Sequence, residues 1–265
     1  MSRIVAGHTN TYHSYSFEES LRGIAAAGYS HAELSAVQNW CEFVSVDDDP
    51  EAVRRLLSSH GLAASSMSAH VNLFQPGGLA DTEKIVRWAA AYGVPVVNAA
   101  LASKPTPETS TADVVQGLRR LGDVAAECEV VVAVEVHGDL APSGTMALEL
   151  IREVGSDGVK INYDTGNVEF YSGISAATDL PAVIEHIAHI HLKDKLGGAG
   201  VWHFPALGGG HVEFDRVLEL LQRRGIDVPM SVELEFSGEP WPPLEVVDDA
   251  MAVSRRRLLE LGFLE

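Results

Sequence analysis

The sequence predicts an α/β protein made of a single (β/α)8 TIM barrel over residues 1–265. Three observations support this fold. Short apolar segments alternate with amphipathic segments along the whole chain. No low-complexity linker divides the chain. Its 265 residues also fall within the range of a single α/β barrel.

Eight segments have the apolar, β-branched character of strands. They lie near residues 4–7, 31–35, 63–70, 95–100, 130–136, 159–164, 187–192 and 229–235. Several follow a glycine that suits the left-handed position after a helix, namely Gly28, Gly61, Gly93 and Gly225. These junctions predict that each strand follows a helix that has just ended.

The segments between the strands have apolar residues three and four positions apart, as amphipathic helices do. Ser16 and Glu19 predict a capping box for the first helix. Asp49 and Pro50 predict the cap and first position of the next. The later helices are TEKIVRWAAAYG, ADVVQGLRRLGDVAAEC, GTMALELIREVG, DLPAVIEHIA, FDRVLELLQRRG and PPLEVVDDAMAVSRRRLLELG.

A doubly wound open sheet is the alternative fold. It is less favoured because no glycine-rich nucleotide-binding motif follows the first strand, where the sequence reads VAGHTN.

Composition narrows the class of protein. The chain is 46% hydrophobic and has no apolar run of transmembrane length, so no membrane partner is expected. Its net charge of −18 disfavours a nucleic-acid partner, because such binding depends on basic residues. Two cysteines are too few for a disulfide framework. No secretory signal pattern is seen, so we expect a cytoplasmic protein.

Polar residues cluster at the ends of the last four predicted strands. They are Glu135 and His137, Asp164, His189 and His191, and Glu233 and Glu235. The carboxyl ends of barrel strands meet at one mouth, so these groups are expected to converge. Each residue alone would more often be a salt-bridge partner or a hydrogen-bonded core residue. The four matched strand ends together favour a metal site.

Crowded carboxylates without a cation would repel one another. We therefore expect one divalent metal ion per chain. Oxygen ligands with one imidazole favour Mn²⁺, Mg²⁺ or Co²⁺, and Zn²⁺ is the less favoured choice. In VKINYDTGN, Asn162 and Asp164 share one face of the strand, and Gly166 is expected to permit the turn that brings Asn167 toward a substrate.

The motifs VEVHG, NYDTGN, HIHLKD, LGGGHVEFDRVLELL and SVELE resemble those of the sugar isomerase/epimerase superfamily with the xylose-isomerase-like barrel. That superfamily includes ketose 3-epimerases, inosose dehydratases and hydroxypyruvate isomerases. The resemblance implies that Glu135, Asp164, His191 and Glu233 are the metal ligands. It favours His191 over His189 and Glu233 over Glu235, which we keep as a reserve ligand.

Two positions depart from the ketose 3-epimerase pattern, which has a histidine at the position of Asn167 and an arginine at that of Gly197. These departures weaken the case for 3-epimerisation of a free ketose. The superfamily's DNA-repair members use extra histidines, and VPVVNAALAS supplies none on the predicted fourth strand.

The resemblance implies a metal-dependent isomerase or epimerase that acts on a sugar or keto-sugar through an enediolate. Glu135 and Glu233 would be both ligands and the catalytic acid and base. A metal-dependent lyase or dehydratase on a cyclic or glycosidic keto-sugar is the first alternative. A non-catalytic sugar-binding barrel is the second.

The expected substrate-binding residues are His70, His137, Asn167, Lys193, Trp202 and His203. Trp202 and His203, with Phe204, lie in a glycine-rich stretch that could form a lid, although an ordinary long loop fits it equally well. Lys193 would hold substrate, although a surface salt bridge to Asp194 fits the sequence nearly as well. The expected partner is a small carbohydrate, and association into a homo-oligomer is left open.

Overall fold

The computed structural model describes residues 3–38, 40–69, 77–101, 110–238 and 240–264. Nine strands occur in these residues. They are β1 (Val5–His8), β2 (His31–Val37), β3 (Cys41–Glu42), β4 (Ala63–Ser68), β5 (Val96–Ala99), β6 (Val131–Glu135), β7 (Val159–Asp164), β8 (Ile187–Leu192) and β9 (Met230–Val232). All eight predicted strands are present, and β3 is an addition.

Eight parallel strands close into a barrel. Their order is β1-β9-β8-β7-β6-β5-β4-β2, and β1 also pairs with β2. The short β3 pairs antiparallel with the end of β2. The closed sheet confirms the predicted (β/α)8 barrel and excludes the open doubly wound sheet, which would have two free edges.

Nine α-helices are present in the described residues. They are α1 (Phe17–Ala26), α2 (Pro50–Ser59), α3 (Gly78–Tyr92), α4 (Thr111–Glu127), α5 (Gly144–Val154), α6 (Asn167–Ser172), α7 (Ala176–Val183), α8 (Phe214–Arg224) and α9 (Leu244–Leu261). Short 3-10 turns cover Thr9–Tyr12 and Ile184–His186. The predicted helix DLPAVIEHIA is thus the end of α7 followed by a 3-10 turn, and α6 was not predicted.

Local sequence signals account for several helix ends. The Ser16 side chain accepts from the Glu19 backbone N–H, and the Glu19 carboxylate accepts from the Ser16 N–H at 2.8 Å, which confirms the capping box. Asp49 caps α2, and Pro50 is its first residue. The glycines that follow α3 and α8 both have positive φ, as a left-handed helix cap requires.

The core lies between the barrel and the surrounding helices, and it is built from aliphatic side chains of both layers. The strands therefore turn apolar residues outward to the helices, and their other residues face the barrel interior. In the part of the chain that the structure describes, no helix is both long and apolar enough to cross a membrane.

Candidate metal centre

Four of the predicted strand-end residues meet at the carboxyl end of the barrel. Glu135 ends β6, Asp164 ends β7, His191 lies near the end of β8, and Glu233 follows β9. Each offers one ligand atom, and these four atoms all lie within 4.8 Å of one another. All four residues are buried. The adjacent parallel strands hold them together, since Asp164 is directly paired with His191 across the β7–β8 ladder.

Asp164 is oriented by the turn that follows β7. Its Oδ1 accepts the backbone N–H groups of Gly166 and Asn167, each at 2.8 Å. Its Oδ2 remains directed at the cluster and has no well-aligned hydrogen-bond donor among the described residues. One oxygen is thus fixed by the backbone, and the other is left for the site.

Gly166 is needed here for a reason other than the one that the sequence suggested. Its φ of −91° is open to any residue, so the turn itself does not require glycine. A Cβ at this position would lie 2.9 Å from Cγ of Lys193 and 3.1 Å from the Lys193 carbonyl oxygen. Glycine therefore permits the close approach of Lys193 to the site.

His191 directs its two ring nitrogens to different groups. Nδ1 lies 3.3 Å from Glu233 Oε2, 3.8 Å from Asp164 Oδ2 and 3.9 Å from Glu135 Oε1. Nε2 lies 3.2 Å from an oxygen of Glu33. A proton on Nε2 that is donated to Glu33 leaves the Nδ1 lone pair for an ion.

Besides Asn10, whose amide donates to Glu233, sequence reasoning missed Glu33 at this site. It lies on β2, is fully buried, and accepts hydrogen bonds from Asn98 and Ser231 besides facing His191. A signal was present in the sequence: along β2, Glu33 and Ser35 alternate with the apolar Ala32 and Leu34. A carboxylate on the inner face of an otherwise apolar strand needs a partner inside the barrel.

Lys193 brings an ammonium group into the cluster. Its Nζ lies 2.8 Å from Glu233 Oε2, 2.9 Å from Glu235 Oε2 and 3.3 Å from Asp164 Oδ2. The salt bridge to Asp194 is absent. The Asp194 carboxylate instead accepts backbone N–H groups of Gly208, Gly210 and Val212, and so it holds the glycine-rich loop in place.

The reserve ligand Glu235 lies beside the cluster rather than in it. Its carboxylate contacts Lys193, while the four mutually close ligand atoms include Glu233 and exclude Glu235. Burial raises the pKa of Glu235 to about 7, although Lys193 acts in the opposite direction.

The charges of the site shift the pKa values of its acids in different directions. Burial raises the pKa of Glu135, and the nearby Glu233 and Asp164 carboxylates add to the effect. Burial alone would also raise the pKa of Glu233, but Lys193 and His191 hold it well below its ordinary value. Burial would lower the pKa of His191, but Glu33 and Glu233 raise it well above its usual range.

The residues present fit a divalent cation. Glu233 Oε2 and Asp164 Oδ2 are both buried and lack a well-aligned hydrogen-bond donor in the described part of the chain, although the Lys193 ammonium lies near them. Three carboxylates and one imidazole form a hard, mostly oxygen donor set. A cation at their centre would satisfy the two oxygens and neutralise the carboxylates that Lys193 alone leaves in excess.

Comparison with protein families matches residues 21–257 to the xylose isomerase-like TIM barrel. The chain belongs to this family. Over 139 residues it is 31% identical to an inosose dehydratase of Geobacillus thermodenitrificans (strain NG80-2). The aligned segment covers 46% of each of the two chains. The chain spans about half the length of the curated relatives it matches.

Solved structures of similar fold cover nearly the whole chain. A D-allulose 3-epimerase from Methylomonas sp. in complex with D-allulose has a TM-score of 0.75 and 20% identity over 98% of both chains. A xylose isomerase-like TIM barrel protein from Mycobacterium smegmatis in complex with magnesium has a TM-score of 0.78 and 18% identity, covering 98% of this chain and 96% of that one. At these identities the similarity shows the shared fold.

The predicted substrate-binding residues differ in how they contact the candidate metal centre. The Asn167 amide donates to Glu135 at 3.0 Å and accepts from Lys193 at 3.3 Å. The Nε2 of His137 lies 2.9 Å from the Tyr171 hydroxyl. Asn167 therefore contacts the candidate ligand Glu135 directly, while His137 is half-buried and contacts Tyr171. His70 lies outside the described residues.

The glycine-rich loop brings Phe204, one of the three aromatic residues predicted in it, to the site. Phe204 is buried, and Lys193 Nζ lies 4.9 Å from the centre of its ring. Trp202 and His203 are exposed, and Trp202 packs edge-on against Phe170 and Phe204. Phe204 thus forms an apolar wall beside Lys193.

Two further histidines lie beneath the centre. The His189 ring contacts Ser66 at 3.1 Å and Asn162 at 3.0 Å, so both of its nitrogens face the barrel interior. His8 forms a second group of possible ligand atoms with Glu33 and His191. Because Glu33 already accepts from Asn98 and Ser231, this second group is less open to an ion than the first.

Proposed function

We propose that this protein is a divalent-metal-dependent isomerase or epimerase that acts on a sugar or keto-sugar. Glu135, Asp164, His191 and Glu233 would hold the ion. The observation that carries the proposal is the convergence of these four buried residues, with ligand atoms within 4.8 Å of one another, from four adjacent strands.

The bound ion would polarise a substrate carbonyl and so acidify the neighbouring C–H bond. Glu135 and Glu233 are the candidate acid and base. The Asn167 amide fixes one oxygen of Glu135, and the Asn10 amide fixes one oxygen of Glu233. Each carboxylate is thereby held in place beside the ion, where it can accept or return a proton.

Lys193 and Asn167 are the candidate groups for substrate oxygens. Lys193 Nζ lies among two glutamates and one aspartate of the site. Its positive charge can therefore stabilise negative charge that develops on a substrate oxygen bound there. Phe204 supplies an apolar surface next to it. A polyol with hydroxyl groups on one side and C–H groups on the other suits such a mixed wall.

The comparisons favour the same substrate class. One relative is named an inosose dehydratase, and one protein of similar fold is in complex with D-allulose. Both names refer to polyhydroxylated compounds. A similar fold in complex with magnesium agrees with a divalent ion at such a barrel. The donor set favours Mn²⁺, Mg²⁺ or Co²⁺ over Zn²⁺.

The test is turnover of a panel of keto-sugars in deuterated water by protein loaded with Mn²⁺. We expect deuterium to enter the carbon next to the carbonyl, with product of unchanged mass apart from the label. Glu135→Gln should reduce the rate by at least about 100-fold. The exposed Glu219→Gln is the matched control and should retain full activity.

A dehydratase is the second candidate, favoured by the two inosose dehydratases among the curated relatives. In the same experiment it would release a product lighter by one water. A non-catalytic sugar-binding barrel would bind keto-sugars without exchange of label or loss of water. That result with protein carrying one ion per chain would contradict both enzymatic proposals.

A further inference from the structure

A cavity lies away from the candidate metal centre, beside the amino ends of β1 and β2. Its volume is about 300 Å³, and Arg3, Tyr29 and Arg255 are among the residues that line it. Arg3 precedes β1, Tyr29 lies between α1 and β2, and Arg255 lies on α9. The strands run from this cavity toward the mouth, so it lies at the opposite end of the barrel from the candidate metal centre.

The two arginines of this cavity have no acidic partner among the residues that the structure describes. In the part of the chain that the structure describes, neither Arg3 nor Arg255 forms a salt bridge, and the buried Nε of each has no hydrogen-bond partner. The chain carries 37 acidic residues against 19 lysines and arginines, so carboxylates are abundant. None of the described residues that line the cavity is acidic.

Tyr29 adds a neutral donor to the two cations. Its side chain is only 5% exposed, and its hydroxyl has no hydrogen-bond partner among the described residues. Burial raises the pKa of this hydroxyl, against the opposing effect of Arg255, so the group keeps its proton and can donate it. A buried hydroxyl without a partner is costly unless a ligand or water satisfies it.

Arg255 packs closely against Gly28. Gly28 has a φ of +93°, and a Cβ at that residue would lie 3.1 Å from Cζ and 3.2 Å from Nε of Arg255. The guanidinium therefore packs directly over the backbone at the end of α1. Glycine permits this packing both by its conformation and by the absence of a side chain.

We propose that this cavity is an anion-binding site that takes a phosphate group, either as the free ion or on a small phosphomonoester. Two guanidinium groups and one hydroxyl donor match the charge and the several acceptor oxygens of a phosphate. A volume of about 300 Å³ is at the lower end for ligand sites, so the ligand is small. The site goes beyond the proposed sugar chemistry and does not depend on it.

Calorimetric titration of the full, Mg²⁺-loaded protein with inorganic phosphate, at constant ionic strength, tests the proposal. Arg255→Gln should weaken phosphate binding by about tenfold or more, because a charge-assisted contact is lost. Tyr29→Phe, which retains the ring packing, should weaken it by about fivefold. A parallel titration with glycerol 3-phosphate distinguishes the free ion from a phosphomonoester, since the preferred ligand binds more tightly.

Arg256→Gln is the matched control. Arg256 is the next residue on α9, is exposed and does not line this cavity. The Arg256→Gln substitution removes the same charge as Arg255→Gln and should leave phosphate affinity within about twofold of that of the unsubstituted protein. Equal weakening by Arg256→Gln and Arg255→Gln would overturn the proposal, as would phosphate binding no stronger than that of chloride. Binding unchanged in both Arg255→Gln and Tyr29→Phe would place phosphate elsewhere and also overturn it.

Discussion

The Glu33 carboxylate lies 3.2 Å from Nε2 of His191, while Nδ1 of the same ring lies 3.3 Å from Glu233. The imidazole thus stands between a buried acid on β2 and the cluster at the ends of β6 to β9. An acid that accepts the proton of one ring nitrogen fixes the tautomer and increases the basicity of the other nitrogen. Glu33 is therefore a positioning residue for His191.

Glu33→Gln should weaken Mn²⁺ binding by about 10- to 100-fold, the range for loss of such a supporting carboxylate. The glutamine keeps the size of the side chain but not its charge. Calorimetric titration of chelator-treated protein with Mn²⁺ measures the change. Ser231→Ala removes one donor to Glu33 and leaves the contact with His191, so it should have a smaller effect. Equal Mn²⁺ affinity in Glu33→Gln and the unsubstituted protein would contradict the positioning role.

Glu233→Gln and Glu235→Gln should differ sharply in metal content. Glu233 supplies one of the four mutually close ligand atoms, whereas the Glu235 carboxylate is bound to Lys193. We expect Glu233→Gln to lose more than about 100-fold in Mn²⁺ affinity, beyond the effect of a supporting residue. Glu235→Gln should lose less than about tenfold. Elemental analysis after dialysis measures both, and the reverse order would make Glu235 the ligand.

Mn²⁺ should stabilise the folded protein. An ion that binds only the folded state at 100 times its Kd adds about 2.7 kcal/mol to the free energy of unfolding. For a chain of this size, that corresponds to an increase of about 5 °C or more in Tm. Thermal unfolding with Mn²⁺ and with excess chelator measures the difference. The Tm of Asp164→Asn should not respond to Mn²⁺, and a full response there would exclude Asp164 as a ligand.

The barrel and its four strand-end residues were accessible from sequence because both depend on local patterns. Strand and helix periodicities repeat along the chain, and Glu135, Asp164, His191 and Glu233 each lie at or just beyond the end of an apolar run. Glu33 was harder to find because it lies within a strand and its partners are far away in the chain. His191, for example, is 158 residues away.

Lys193 shows a second limit of sequence reasoning. Its neighbour Asp194 was a plausible partner by adjacency, but consecutive residues at the end of a strand point to opposite sides. Lys193 therefore faces the cluster and Asp194 faces the loop at 208–212. The alternation that directs His191 inward also directs Lys193 inward, so the local sequence favoured this side. What it did not reveal was which carboxylates Lys193 would contact, because Asp164 and Glu233 come from other parts of the chain.

His189 should make the protein less stable at acidic pH. Burial lowers its pKa from 6.5 to about 3, although Glu33 acts in the opposite direction. Between these two values the unfolded chain binds a proton on this residue that the folded chain does not. The stabilisation is therefore complete above pH 6.5 and is lost progressively as the pH falls toward 3. The loss approaches about 1.4 kcal/mol per pH unit for this one group.

His189→Gln removes the titrating group and keeps a side chain that can hydrogen-bond to Ser66 or Asn162. We expect a lower stability at neutral pH, because the packing is poorer, but a flatter dependence of the unfolding free energy on pH below about 6. Urea unfolding in the presence of chelator measures this slope without a contribution from metal release. The half-buried His60, which follows α2, provides the control, and His60→Gln should keep the steeper slope. If His189→Gln kept the steeper slope too, His189 would have to be protonated in the folded protein. Both ring nitrogens would then be donors, Nδ1 to Asn162 and Nε2 to Ser66 or Glu33.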